Sequence, residues 1–331
     1  METIGFIRAT RLFLRGCRNY VIGKPLVISF EVTGSCNAHC LHCDKGGIIK
    51  DEKQMSPSEI LERYRELRPV VVQVSGGEPL LRKDLLEIVR AIKEPNGTPY
   101  LILVTNGYRL NKGLYLRLRQ AGVDQFSVSL DFPDERHDRF RRIPGLFRHL
   151  EKTIPELTRL GYNDVVLNTA ITSENLNDLL DLYKTVEKWG ASLSYSAYSA
   201  LRTGNQDLLI TSPEDLSRLR ATINELIKMK RCGKRIRNPI SVLENIFRFF
   251  MDGAVEGCKT GIRFLLITPD GLFRPCAHTQ QQFETHNELK ERYSRTNTCG
   301  ACYVAIRGYS DKSFFGLFKE QIMARFIPIE V

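Results

Sequence analysis

Three cysteines fall within eight positions in the stretch CNAHCLHC, residues 36–43: Cys36, Cys40 and Cys43, with His39 and His42 between them. Thiolates select zinc, copper(I) or iron-sulfur clusters. Zinc held by the three thiolates and one of the histidines is the simplest reading. Two features count against it. A histidine directly beside a ligating cysteine rarely swings back onto the same tetrahedral ion, and a structural zinc has no use for SGGEP, Ser75 to Pro79. A cubane iron-sulfur cluster on three cysteines leaves one iron open to a reacting ligand, as a catalytic zinc site does. Gly76 and Gly77 would let the backbone approach such a ligand closely and offer it N–H and C=O groups.

Four more cysteines lie far downstream: Cys258, Cys276, Cys299 and Cys302. The run ITPDGLFRPC, 267–276, places a Pro-Asp-Gly turn between apolar stretches and predicts a hairpin returning Cys276 toward Cys258. The pair Cys299-x2-Cys302 supplies two further thiolates, enough to close a site. Chemistry alone leaves structural zinc and a cluster equally open there. Cys17 and Cys232 belong to neither pattern and are expected to be ordinary reduced thiols.

Periodicity shows the elements that must position these residues. Short apolar, β-branched runs at 26–32, 70–74, 101–104, 126–130, 165–170 and 193–196 alternate with helical stretches. One helix opens with a capping box of Ser56 and Glu59 and with Pro57 at its first position; another starts the same way at Ser212. Six such units predict parallel βαβ crossovers, closed wholly or partly into a barrel whose ligands gather at the carboxyl ends of the strands. CNAHCLHC then follows the first strand, SGGEP the second, Asn106 the third and Asp131 the fourth, all at one mouth. Past about residue 211 the alternation yields to two helices flanking a basic run, 228–237, which reads as a solvated linker. Residues 1–23 predict an amphipathic helix with Arg8, Arg11, Arg15 and Arg18 on one side and Phe6, Ile7, Phe13, Leu14 and Cys17 on the other. The expectation is a docked helix with its arginines in solvent; contact with an anionic membrane surface is the sharper alternative.

Cys36-x3-Cys40-x2-Cys43 after a first strand, with Gly76-Gly77-Glu78-Pro79 after a second, resembles the radical S-adenosylmethionine (SAM) superfamily. The resemblance implies an α/β fold, a partial (β/α)6 barrel over 24–211, with a [4Fe-4S] cluster on Cys36, Cys40 and Cys43. Its open iron would be chelated by the amino and carboxylate groups of SAM. One electron would cleave SAM to methionine and a 5′-deoxyadenosyl radical that takes hydrogen from a substrate C–H bond. Gly76, Gly77 and Glu78, with Pro79, would then meet the methionine end of SAM. Asn106, Ser129, Asp131 and Asn168 occupy strand ends where relatives contact its ribose or methionine, although each also suits a turn or cap. His42 departs from the commoner aromatic residue at its place, yet an imidazole can stack near adenine. Cys258-x12-Gly271-x4-Cys276 resembles the opening of SPASM and Twitch extensions. A single following CxxC matches the shorter Twitch form, with an auxiliary [4Fe-4S] cluster in residues 258–331 after a helical linker at 212–257. Four ligands would leave that cluster no iron for substrate, so it would pass electrons or hold the barrel mouth.

The chain of 331 residues carries a net charge of +10, which favours an anionic partner: a phosphorylated substrate, an acidic redox protein, a membrane surface or RNA. The resemblance calls for a reductant such as flavodoxin or ferredoxin. No aromatic residues interleave with the basic run as a single-strand platform needs, so a nucleic-acid partner is not expected. With no secretory signal and no apolar run of membrane-spanning length, a cytoplasmic protein is expected, with peripheral contact at the inner membrane face as its variant. The basic first helix and the tail SFFGLFKEQIMARF point to a lipid or other apolar, phosphorylated small molecule as substrate. Peptide or protein maturation is the alternative, although the 35 residues ahead of Cys36 are too few for a peptide-binding domain. A non-catalytic iron-sulfur protein is the third.

Overall fold

The computed structural model describes residues 5–313 and 316, so the apolar tail beyond Ser313 lies outside the described residues, Gly316 aside. Each of the six apolar runs is a strand: β1 (Val27–Thr33), β2 (Val71–Gly76), β3 (Tyr100–Thr105), β4 (Gln125–Ser129), β5 (Val165–Ile171) and β6 (Ser192–Ala197). They pair in chain order and all in parallel. The helix ahead of them is α1 (Phe6–Val21), and the crossovers carry α2 (Pro57–Leu67), α3 (Leu85–Ile92), α4 (Lys112–Ala121), α5 (Arg136–Arg141), α6 (Leu146–Thr158) and α7 (Leu179–Lys188). The capping box is present: Ser56 Oγ accepts from Glu59 N while Glu59 Oε2 accepts from Ser56 N at 2.7 Å. Two helices follow, α8 (Pro213–Arg231) and α9 (Ile240–Asp252), packed on each other, with α9 also against β6.

The chain then returns to the far edge of the sheet. The strand β7 (Phe264–Ile267) pairs parallel with β1, and β8 (Phe273–Arg274) folds back antiparallel on β7, the hairpin that the Pro-Asp-Gly turn predicts. Gly271 in that turn has φ +92°, a conformation that costs glycine little. The result is one eight-stranded, mostly parallel sheet in the order β6-β5-β4-β3-β2-β1-β7-β8, an open barrel rather than a closed one.

Its two edges are nevertheless joined. The side-chain amide of Asn238 bonds both Tyr195 N (2.7 Å) and Tyr195 O (2.8 Å), which protects part of the exposed edge of β6. The segment that leaves β8 crosses to the same strand: Tyr303 O accepts from Ala197 N at 3.0 Å, Ala301 O from Ser199 Oγ at 2.9 Å, and Ser196 Oγ from Ala305 N at 3.0 Å. The cysteine-bearing C-terminal segment is therefore a strap from β8 to β6.

For two of its four arginines α1 departs from the expectation of a solvated face, whereas Arg11 and Arg18 are exposed as expected. Arg8 reaches Gly97 O and Asp124 Oδ2, each at 2.6 Å, and Arg15 reaches Tyr64 Oη at 2.8 Å and Glu94 Oε2 at 3.0 Å. Asn19 is fully buried and donates to Pro25 O and Arg68 O. The apolar side faces outward instead, with Phe6 72%, Ile7 66% and Leu14 60% exposed. Arg8 and Arg15 face inward because fixed carboxylates await them there, and a guanidinium fork uses such partners well. Apart from Tyr64, in the last turn of α2, these partners lie in the segments that lead into β1, β2, β3 and β4. Helix α1 thus covers the end of the barrel opposite to the mouth.

Candidate functional site

The loop after β1 owes its shape to one carboxylate. Glu52 accepts from Thr33 Oγ1 (2.6 Å), from Gly34 N and from Gln54 Nε2 (2.6 Å), and it stays ionised below the usual carboxylate range because these donors outweigh the cost of its burial. Cys36 N donates to Gly47 O at 2.9 Å, and Cys43 N to Cys40 O at 3.2 Å. The loop also leans on the end of α5, with His39 N on Arg141 O and Leu41 N on Phe140 O. Each thiol sulfur has a donor: Ala38 N on Cys36 Sγ (3.4 Å), Lys45 N on Cys43 Sγ (3.4 Å) and Arg141 Nη1 on Cys40 Sγ (3.9 Å). Hydrogen bonds to sulfur are among the levers that tune an iron-sulfur cluster.

Burial raises the Cys36 thiol to about 11, and the neighbouring charges of Glu78, Cys40 and Cys43 add to it. Cys40 is raised by burial too, with Arg141 opposing and Cys43 adding. The three sulfurs are therefore close enough to repel as thiolates. Cys36 and Cys40 hold their protons until a metal displaces them, which couples binding to proton release. Among the described residues no three His, Cys, Asp or Glu side chains converge as ligands of a single ion. Three thiols with no fourth ligand, each with an N–H on its sulfur, suit a cluster with one open iron.

The turn after β2 is glycine for a reason the sequence alone does not reveal. A Cβ on Gly77 would lie 2.5 Å from Gly34 O and closer still to Ser35 O; one on Gly76, whose φ is +134°, would strike Thr33 O. Gly77 N donates to Thr33 O (2.7 Å) and Glu78 N to Ser35 O (2.9 Å), so the turn is laced to the cysteine loop. Its N–H groups are spent, and Gly77 has only its carbonyl to give a ligand. That suits the amino group of SAM, which needs acceptors. Glu78 is buried, and its carboxylate accepts from Leu80 N (3.0 Å), Thr105 Oγ1 (2.7 Å) and Asn106 N (2.8 Å). It ties the end of β2 to the end of β3, and Pro79, also buried, opens the short helical turn that follows.

The other expected contacts divide. Asn106 reaches into the loop, its Nδ2 on Asn37 Oδ1 at 2.8 Å. Ser129 ends β4 opposite Asn168 on β5, and the Asn168 amide donates to Ser127 Oγ and Val166 O. Asp131 is fully buried behind the loop rather than open to the mouth: Arg141 Nε meets its Oδ2 at 2.6 Å, and Ala170 N its Oδ1 at 3.1 Å. Burial alone would raise its pKa, but Arg141 holds it below the usual carboxylate range. The His42 ring stacks on Phe140, centroids 4.9 Å apart and 11° from parallel, and burial keeps it neutral, down to about 3. Arg141 and Arg202 escape the sequence reading. Arg202 forms an ion pair with Asp44, the residue after Cys43, and its partner lies 158 positions away.

The four downstream cysteines also come together. Burial lifts Cys302 to about 12, Arg307 opposes, and Cys276, Cys258 and Cys299 add to the rise. Tyr293 is raised by burial and then by all four thiols. Arg307, only 3% exposed, fastens this region: it donates to Cys302 O, to Val255 O at 2.7 Å and to Glu256 O at 3.2 Å, and pairs with Asp311 at 2.6 Å. Asn297 Nδ2 donates to Cys258 O at 2.9 Å.

An open parallel barrel, with a three-cysteine loop at its mouth laced to a glycine turn, has the parts that presenting a metal cluster to a small ligand would need. The family model described as Radical SAM superfamily matches residues 30–186, and the chain belongs to that superfamily. It is 28% identical over 346 residues to AdoMet-dependent heme synthase from Oleidesulfovibrio alaskensis, across 87% of this chain and 85% of that protein. It is 31% identical over 264 residues to probable GTP 3',8-cyclase from Methanococcus aeolicus, across 76% of this chain and 85% of that one. Among solved structures, Streptococcus suis SuiB bound to precursor peptide SuiA has a TM-score of 0.64 over 95% of this chain and 77% of its own, at 15% identity, a likeness of fold.

Proposed function

We propose that the protein reductively cleaves SAM at the barrel mouth and uses the resulting radical on an apolar small molecule that carries an anionic group. The observation that carries this reading is the three-cysteine loop laced to the Gly76–Gly77 turn, with a sulfur donor on every thiol. Cys36, Cys40 and Cys43 would hold the SAM-binding [4Fe-4S] cluster, and Cys258, Cys276, Cys299 and Cys302 an auxiliary one. When bound, the first cluster supplies the electron that splits SAM into methionine and a 5′-deoxyadenosyl radical. The chain's own part is to offer the Gly77 carbonyl to the ammonium of SAM, to keep Asn106 and Ser129 at the strand ends, and to hold Arg141 against the Cys40 sulfur. Flavodoxin or ferredoxin chemistry would supply the electron.

Exposed apolar side chains follow several strands on the mouth side: Ile48 67%, Ile49 49%, Tyr108 44% and Leu201 48%. They support an apolar body for the substrate. Delivery of a lipid by α1 is not supported, because α1 sits at the opposite end; its outward apolar face instead supports peripheral attachment with the mouth turned away from the membrane. Among the described residues no helix is long and apolar enough to cross a membrane. A peptide substrate would use the same mouth. SuiB is named with its precursor peptide, but at 15% identity that likeness carries fold alone; relatives at 28% and 31% are named for heme and GTP, and one at 27% is named PqqA peptide cyclase.

Anaerobic reconstitution with SAM and dithionite tests the reading. About eight irons per chain and formation of 5′-deoxyadenosine support it; zinc in place of iron with no SAM cleavage overturns it.

A further inference from the structure

Three buried polar atoms between the two cysteine sets have no partner within the protein: His42 Nδ1, Arg202 Nε and His278 Nδ1. Leaving such an atom dry forfeits its hydration with nothing in return, and native proteins rarely tolerate it. Three in one region mark a place where something outside the chain completes the bonding. His42 lies inside the first cysteine loop, Arg202 follows β6 and pairs with Asp44, and His278 stands two residues past Cys276. The charges of Arg202 and Asp44 are both felt at His278, and that of Arg202 at His42, so the groups share one neighbourhood.

The charge balance there is positive. Asp44 answers Arg202, but Arg274, only 6% exposed and also felt at His278, donates to Thr279 O and pairs with no carboxylate among the described ion pairs. Each histidine can present Nδ1 as a donor, according to its tautomer. A guanidinium with an unused N–H beside such donors suits an oxygen anion, which accepts several hydrogen bonds at once.

We propose that Arg202 and His278 form a recognition site for a carboxylate or phosphate of the substrate, held between the two cysteine sets. This deepens the reading of the mouth as the site of SAM cleavage and rests on it. The carboxylate of SAM offers the same chemistry, so the test separates the two sources.

The experiment is calorimetric titration of the reconstituted full-length protein, anaerobically, with inorganic pyrophosphate and with malonate in the presence of saturating SAM, and with SAM by itself. The wild type is expected to bind at least one of the two anions. Arg202→Gln should weaken that binding tenfold or more, and Arg202→Lys less, while the Kd for SAM moves less than twofold. Equal anion binding in wild type and Arg202→Gln, or none in the wild type at millimolar anion, overturns the proposal. A tenfold rise in the Kd for SAM also overturns it, because the anion is then SAM's own. Iron content and urea midpoint report whether Arg202→Gln folds; where it does not, the charge-retaining Arg202→Lys decides, with unchanged anion affinity counting against the site. Formation of 5′-deoxyadenosine by the wild type is scored separately. Anion binding without SAM cleavage would remove the functional reading and leave the anion site standing.

Discussion

Replacing Gly77 by alanine separates two reasons for a glycine at the mouth. If the residue were small only to admit SAM, the ligand-free protein would tolerate a methyl group. The structure predicts otherwise. The added Cβ falls 2.5 Å from Gly34 O and 2.6 Å from the Ser35 carbonyl carbon, whereas an ordinary contact begins near 3.4 Å. The turn and the cysteine loop must separate by about 1 Å, which overpacking data put at about 1–3 kcal/mol. The bonds Gly77 N to Thr33 O and Glu78 N to Ser35 O stretch with it, at about 1 kcal/mol each. The sum is about 3–5 kcal/mol, borne by the metal-free protein. With an m-value of about 3 kcal/mol per M, the urea midpoint falls by about 1 M or more. Unfolding of metal-free wild type and Gly77→Ala, followed by tyrosine and tryptophan fluorescence, is the assay. An unchanged midpoint, with a defect only in SAM binding, would refute the argument that the glycine serves the cysteine loop first.

Other perturbations give equally definite outcomes. Alanine at Cys36, Cys40 or Cys43 should abolish 5′-deoxyadenosine formation, measured by chromatography after dithionite reduction. Arg307→Ala leaves three carbonyls and Asp311 without their donor; a loss of about 3–5 kcal/mol is expected for a broken buried pair, and iron should drop from about eight toward about four per chain, so a variant that keeps all its iron refutes the role. Glu94 is depressed to about 2 from an ordinary 4.5, with Tyr64 and Arg15 outweighing the cost of burial, so its contribution is present above pH 4.5 and lost as pH falls toward 2. Glu94→Gln should flatten that acid limb of the stability curve by no more than about 3 kcal/mol. Co-sedimentation with anionic vesicles should be weaker for a chain lacking residues 1–20 than for the full chain, and equal binding would remove α1 from the membrane argument.

The six strands were legible because each is buried on a sheet covered by helices, which forces continuous apolar runs; the run 165–170 differs from β5 by a single residue at its end. Both cysteine sets were legible through spacing. The face of α1 was not, since Arg8 and Arg15 find Asp124 and Glu94, 116 and 79 positions away, and no local pattern announces a distant carboxylate. Asp131 was placed correctly at a strand end, yet its role turns on Arg141, ten residues on, and on whether the two meet behind the loop or in front of it. Gly76 and Gly77 were recognised, but the clash that demands them is with β1 and its loop rather than with a ligand. Arg202 gave no signal at all, because its meaning lies in an unused Nε that only three-dimensional packing reveals.

The strap that runs from β8 to β6 makes the width of the cylinder depend on the segment that carries the four downstream cysteines as well as on the ladder of the sheet. A hoop is as tight as its clasp, and under the function proposed above the clasp is four thiols whose folding would be coupled to the cluster they would hold. Oxidation of those thiols would not need to reach the mouth to matter. It would let the edges drift apart, loosening the grip on substrate while the loop after β1 still cleaves SAM, and the injury would appear as wasted turnover before it appeared as lost activity.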